Sequence, residues 1–125
     1  MPIDSKELPV DRTWWIKRGI DDRSILTWEA AGMPVLFDGC TAVIYITDLC
    51  GNIVLQISTT LSLQGQIVFG TLALGTQGNI FVSLTSAATQ GLLCSRYRWT
   101  STITFPDGSK WSPFEGNVIV RAGAP

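Results

Sequence analysis

Between Arg96 and Phe105 the chain alternates along one stretch. Tyr97, Trp99, Ile103 and Phe105 fall on one side, and Arg96, Arg98, Thr100, Thr102 and Thr104 on the other. A period of two belongs to a β-strand with one buried face, whereas a helix would scatter these side chains around its circumference. Pro106 then fixes φ and withholds a ladder donor, while Asp107 and Gly108 accept the dihedrals of a tight reversal. The stretch therefore predicts a hairpin whose return strand lies over 117–122.

The same texture fills the rest of the chain from Thr13 onward: short β-branched and aromatic runs separated by Gly, Asp, Asn and Pro. It predicts further strands at 12–18, 23–30, 41–48, 52–58, 66–73 and 79–84, with 95–105 and 117–122 completing about eight. Thr85 or Ser86 can cap one helical turn over Ala87, Ala88 and Thr89 before Gly91 stops it. No segment sustains a 3.6 period. The pattern points to an all-β fold, a two-layer antiparallel β-sandwich of immunoglobulin-like or jelly-roll-like kind, with a barrel as the second architecture. In 41–48, Val43 and Tyr45 oppose Ala42, Ile44 and Ile46, which predicts a central strand covered on both faces, one of them by a partner.

With 125 residues, one domain is expected, preceded by an arm. Residues 1–11 are polar, contain Pro2 and Pro9 and have no period, so they read as an extended N-terminal arm; residues 12–125 form the sandwich. Only 15% of residues are charged, against 46% apolar, so part of the surface is expected to lie against another chain. The net charge of −1 comes without a basic run, which disfavours nucleic acid, and the apolar stretches are far shorter than the roughly 20 residues of a membrane helix. The first residues lack the basic and apolar regions of a secretory signal, and synthesis in a cytoplasm is expected.

No histidine is present. Ser-His-Asp and Cys-His chemistry are thereby excluded, and Asp21 and Asp22 read as turn residues rather than a catalytic pair. Cys40, Cys50 and Cys94 have no metal-ligand spacing and read as reduced thiols, with a Cys40–Cys50 bridge open to them if a hairpin sets the two opposite each other. No enzymatic activity, metal or cofactor is expected. Trp14 and Trp15 are adjacent in a strand and must point to opposite faces, so the core explains only one of them. The candidate interface residues are Pro2, Ile3 and Leu8 of the arm together with Trp15, Trp111 and Phe114.

The order "DRTWWIKRGIDD", "ITDLCGNIV", "LTSAATQGL" and "YRWTSTITFPDGSKWSPFEGNVIV" resembles the small β-sandwich proteins of tailed-bacteriophage virions, of minor-tail, long-tail-fibre and baseplate-adaptor type. Tyr97, Pro106, Asp107, Gly108, Gly116, Val118 and Val120 carry that resemblance, and Phe114-Glu115 departs from it. It implies a non-enzymatic structural subunit of the tail, the baseplate or the capsid surface, located in the virion and partnered by its own copies and other virion proteins. The alternative is a carbohydrate-binding module that stacks a host glycan on Trp15 or Trp111.

Overall fold

A computed structural model describes residues 10–30 and 32–122. Twelve strands and one helix follow in the order β1 (Val10–Asp11), β2 (Trp14–Lys17), β3 (Asp22–Thr27), β4 (Glu29–Ala30), β5 (Met33–Pro34), β6 (Thr41–Thr47), β7 (Ile53–Ser58), β8 (Gly65–Phe69), β9 (Asn79–Leu84), α1 (Ser86–Gln90), β10 (Arg96–Thr104), β11 (Lys110–Trp111) and β12 (Phe114–Arg121). The larger sheet runs β1-β12-β10-β6-β7, with β2 continuing β1 along β12 and β11 pairing with β10. The smaller sheet runs β3-β9-β8, and β4-β5 form a separate small hairpin. This division of strands is that of an immunoglobulin-like sandwich rather than a jelly roll.

The two layers close over the alternating faces that the sequence marks. Tyr97, Trp99, Ile103 and Phe105 are buried, as are Ala42, Ile44 and Ile46 of β6, and they meet Leu26, Ile80, Val82 and Leu84 of the smaller sheet. Trp99 lies edge-to-face on Trp14, ring centroids 5.4 Å apart, and its Nε1–H donates to the Arg12 carbonyl at 2.9 Å. The residual void among Trp14, Ser24, Leu26, Ile44, Val82 and Trp99 measures about 10 Å³, room for at most one water.

Two pairings depart from the antiparallel expectation. β1 and β2 both run parallel to β12, Val10 opposite Phe114 and Trp14 opposite Val118. They can approach because residue 116 is glycine: a Cβ there would collide with the Arg12 carbonyl oxygen. Val10 and Asp11 therefore belong to the sandwich, and the predicted arm is shortened at its inner end; residues 1–9, with Pro2, Ile3 and Leu8, lie outside the described residues.

The hairpin after β10 forms as predicted, with Phe105 N–H donating to the Ser109 carbonyl and Gly108 in the left-handed region at φ +89°. Its return begins with β11 at Lys110 and resumes with β12 at Phe114, both earlier than the alternation suggests. Between the Ile103–Trp111 and Thr100–Glu115 pairs the register slips by one residue, so Ser112-Pro113 carries a bulge. The buried Ser101 hydroxyl repairs the ladder there, accepting from Phe114 N–H at 3.2 Å and donating to its carbonyl at 3.1 Å. β8 stops at Phe69, four residues short of the predicted 66–73, because Gly70 leaves the sheet into a loop closed on Thr76.

The end of the sandwich beneath β10 is tied by side chains. Thr85 caps α1 through its hydroxyl on Ala88 N–H, and buried Thr89 accepts from Gly19 N–H and donates to the Ile20 carbonyl. Tyr97 reaches the same corner, its hydroxyl oxygen accepting from Cys94 N–H at 2.8 Å. Between β6 and β7, Asp48 Oδ1 accepts from the N–H groups of Cys50 and Asn52, each at 2.9 Å. All three cysteines are free. Cys40 and Cys50 flank the two ends of β6, whose seven residues at about 3.3 Å each keep them far beyond the roughly 7 Å limit for a bridge; the Cys40–Cys50 alternative is thus corrected.

Replacing Trp99 by Ala empties this core and strips Arg12 of a donor, and is expected to lower the unfolding free energy by about 3–5 kcal/mol, read as a fall in the urea midpoint. A second expectation concerns Asp48, whose pKa is held below the ordinary carboxylate range, chiefly by the hydrogen bond from Asn52 N–H. Because the folded-state value lies below the unfolded one, the contribution of the turn is complete above the ordinary range and is lost as pH falls through the depressed value. NMR titration should show the Cys50 and Asn52 amide resonances steady through the ordinary range and shifting only below it.

Candidate functional site on the outer face of the larger sheet

In β2 the alternation Trp14 in, Trp15 out, Ile16 in, Lys17 out follows from the strand period, with Trp14 and Ile16 buried and Trp15 55% exposed. Register places Trp15 beside Ile119 of β12 and, one strand further, Arg96 of β10; Lys17 stands beside Arg121. The Arg121 guanidinium covers one side of the Trp15 ring at 4.6 Å from its centroid, a cation–π contact that fixes the indole and leaves its other side open. Trp15, Ile16, Lys17 and Arg121 line an open groove of about 430 Å³ along the outer edge of the sheet.

Charge is distributed unevenly on this face. Arg98 is engaged, 3.5 Å from Glu115 and donating to Asn117 Oδ1 at 3.0 Å. Among the described residues, Lys17 and Arg96 have no side-chain partner, and Arg121 has only the Trp15 ring. Half-buried Ile119 adjoins Trp15, whereas Val43 and Tyr45 lie on the same side of the sheet beyond Arg98 and Asn117, so β6 is apolar on both sides, as its sequence predicts.

Two titratable groups away from this face are held off their ordinary range. Burial pushes the Cys40 thiol up, helped by the nearby charges of Asp38 and Asp107, so it carries little thiolate at neutral pH. Asp107 is held below the carboxylate range by the Ser109 hydroxyl and amide of its own turn. Among the described residues no three His, Cys, Asp or Glu side chains converge as a metal site would require, and no helix is long and apolar enough to cross a membrane.

The predicted site residues are thus separated. Trp15 is on the outer face as expected. Phe114 is 1% exposed and belongs to the core, because the bulge at Ser112-Pro113 turns it inward; its assignment to an interface is corrected. Trp111 is half-buried against the core at the far end of the β10 ladder from Trp15, so the two tryptophans do not form one stacking platform. Lys17, Arg96, Ile119 and Arg121 had not been singled out. Their outward position is written in the alternation of β10 and β12, but their neighbourhood with Trp15 depends on the parallel β2–β12 pairing, which no local pattern announces.

No protein-family model matches the chain, and no curated protein matches it. Among solved structures it is similar to the ZIG-8–RIG-5 IG1-IG1 heterodimer, at 10% identity and a TM-score of 0.46 over 94% of this chain and 89% of that one. It is also similar to extracellular domains 3–5 of Drosophila OTK, at 13% identity and a TM-score of 0.40, where it covers 95% of its own length and 37% of that chain. At such identities the likeness is one of fold. The expectation of a tailed-phage virion subunit is corrected: the structures found carry immunoglobulin domains, and neither is a virion protein. The physical reason lies in the motifs behind that expectation. The Tyr-led strand, the Pro-Asp-Gly turn and the Gly-x-Val-x-Val return are accounted for by the β10–β12 hairpin of an immunoglobulin-like sandwich, and they say nothing about a phage.

Since Trp15 adds little to the core, its replacement by Ala should change the unfolding free energy by no more than about 0.5 kcal/mol, in contrast to Trp99. Urea unfolding of the two variants side by side measures this difference.

Proposed function

We propose that the chain is a non-enzymatic recognition module that binds a protein partner through the outer face of the larger sheet, with Trp15 as anchor. The observation that carries this reading is Trp15 itself: a large aromatic held in one orientation on a rigid strand by Arg121, half in water, and not needed by the core. Tryptophan and arginine are the residues most enriched among those that dominate interface energetics, and a pre-positioned side chain loses little entropy when it docks. Ile119 extends the apolar centre of the patch, and Lys17, Arg96 and Arg98 form its polar rim. Absence of histidine and the engagement of Asp48 and Asp107 in their own turns support a binding role over a catalytic one.

The test compares wild-type protein with Trp15→Ala. Partners retained by the immobilised wild type are identified by quantitative mass spectrometry, purified, and titrated against both proteins, with amide exchange mapping the contact. The expected outcome is a footprint on β2, β12 and β10 and a loss of at least tenfold in affinity, about 1.4 kcal/mol, on removal of Trp15. Equal affinity for the two proteins, or a footprint on β3, β9 and β8, would contradict the reading.

A further inference from the structure

Among the described residues β2 is the last strand of its sheet, and its far edge is unpaired. In a parallel ladder alternate residues turn their backbone groups toward the neighbour. Arg12 N–H and Arg18 N–H donate to the carbonyls of Glu115 and Arg121, which assigns the even-numbered residues to β12. The odd-numbered Thr13, Trp15 and Lys17 accordingly face outward. Among the described residues only the Lys17 carbonyl of these backbone groups has a partner, the N–H of Ile20 in the following turn. The opposite edge of the sheet differs, since there the Gln64 side chain accepts from Gln56 N–H of β7.

Resting on the reading of the Trp15 face as a recognition surface, we infer that this edge binds an extended acidic peptide segment of the partner by strand addition. The exposed N–H groups of Trp15 and Lys17 and the Trp15 carbonyl supply a short ladder, which any extended chain can satisfy. Charge selects among extended chains. The groove along the edge is lined by Lys17 and Arg121 with no carboxylate, and Arg96 stands two strands in, so an acidic side chain on the same face of the added strand finds a cation with no carboxylate partner.

Calorimetry and NMR on the full chain test this with four probes. The first is a blocked nine-residue peptide alternating valine and aspartate, and the second is its valine–lysine counterpart. The third is a pair of valine–aspartate peptides, one N-methylated at the central aspartate and the other at an adjacent valine. The fourth is a heparin-derived octasaccharide. The valine–aspartate peptide should bind and shift the Trp15 and Lys17 amide resonances, and the lysine peptide should not bind. One N-methyl isomer should lose at least tenfold in affinity while the other retains it, because successive amides of a strand point to opposite sides. The double substitution Lys17→Gln with Arg121→Gln should weaken binding at least tenfold. Equal binding of both N-methyl isomers and the parent would show attraction by charge without a ladder and overturn the inference, as would an octasaccharide that binds where the peptide does not. A silent peptide beside a protein partner that still depends on Trp15 removes this inference alone, whereas a partner indifferent to Trp15 removes the reading beneath it.

Discussion

The sandwich depends on one contact chain that runs from Trp99 across Gly116 to Arg12 and Trp14. Trp99 pairs with Gly116 in the β10–β12 ladder, and the missing side chain at 116 lets the Arg12 backbone come close enough to accept the indole N–H. Trp14 then packs edge-on against the same indole. In antibody-type sandwiches the second cysteine of the inter-sheet disulfide lies two residues after the tyrosine whose hydroxyl closes the corner before that strand. Tyr97 makes such a corner bond with Cys94 N–H, and Trp99 occupies the cysteine's place. The Trp14–Trp99 contact, about 0.5–1.5 kcal/mol beyond its buried area, joins two strands of one sheet, while the Trp99 indole itself, packed with Leu26 and Val82 of the smaller sheet, stands where a covalent bridge of about 2–4 kcal/mol would tie the layers elsewhere. The three cysteines are left in loops, free.

That arrangement also positions the surface. Trp14 is pinned inward by Trp99, and the strand period then forces Trp15 outward, beside Ile119 and under Arg121. The core and the candidate interface are therefore successive residues of one short strand. A partner docking on Trp15 would press on an element whose other face is locked into the sandwich, which keeps the binding surface rigid without any cross-link.

Much of the fold was legible in the sequence because it is written in local alternation. Tyr97 to Phe105, Ala42 to Ile46 and the Pro106-Asp107-Gly108 turn each carry their own period or turn chemistry, and Thr85 with Gly91 brackets the helical turn. What escaped was non-local. The parallel docking of β1 and β2 on β12 depends on the absent side chain of Gly116, and the inward turn of Phe114 depends on a bulge repaired by Ser101, thirteen residues away. Of the site, Trp15 could be read because two adjacent tryptophans cannot share one face. Its cationic surroundings could not, since Lys17, Arg96 and Arg121 come together only through that parallel pairing. The biological setting is not legible for a related reason: hairpin motifs common to a fold mark no single family.

Hydrogen exchange of the five tryptophan indole N–H groups, followed by NMR in a single experiment, tests the central claim that Trp99 holds the fold while Trp15 is free to serve a partner. The account predicts that the Trp99 indole proton, bonded to Arg12 and buried, exchanges only as slowly as the whole domain unfolds, while that of Trp15 exchanges at the rate of an exposed indole. A Trp99 proton that exchanges quickly in the folded protein, or a Trp15 proton protected in the isolated chain, would contradict it.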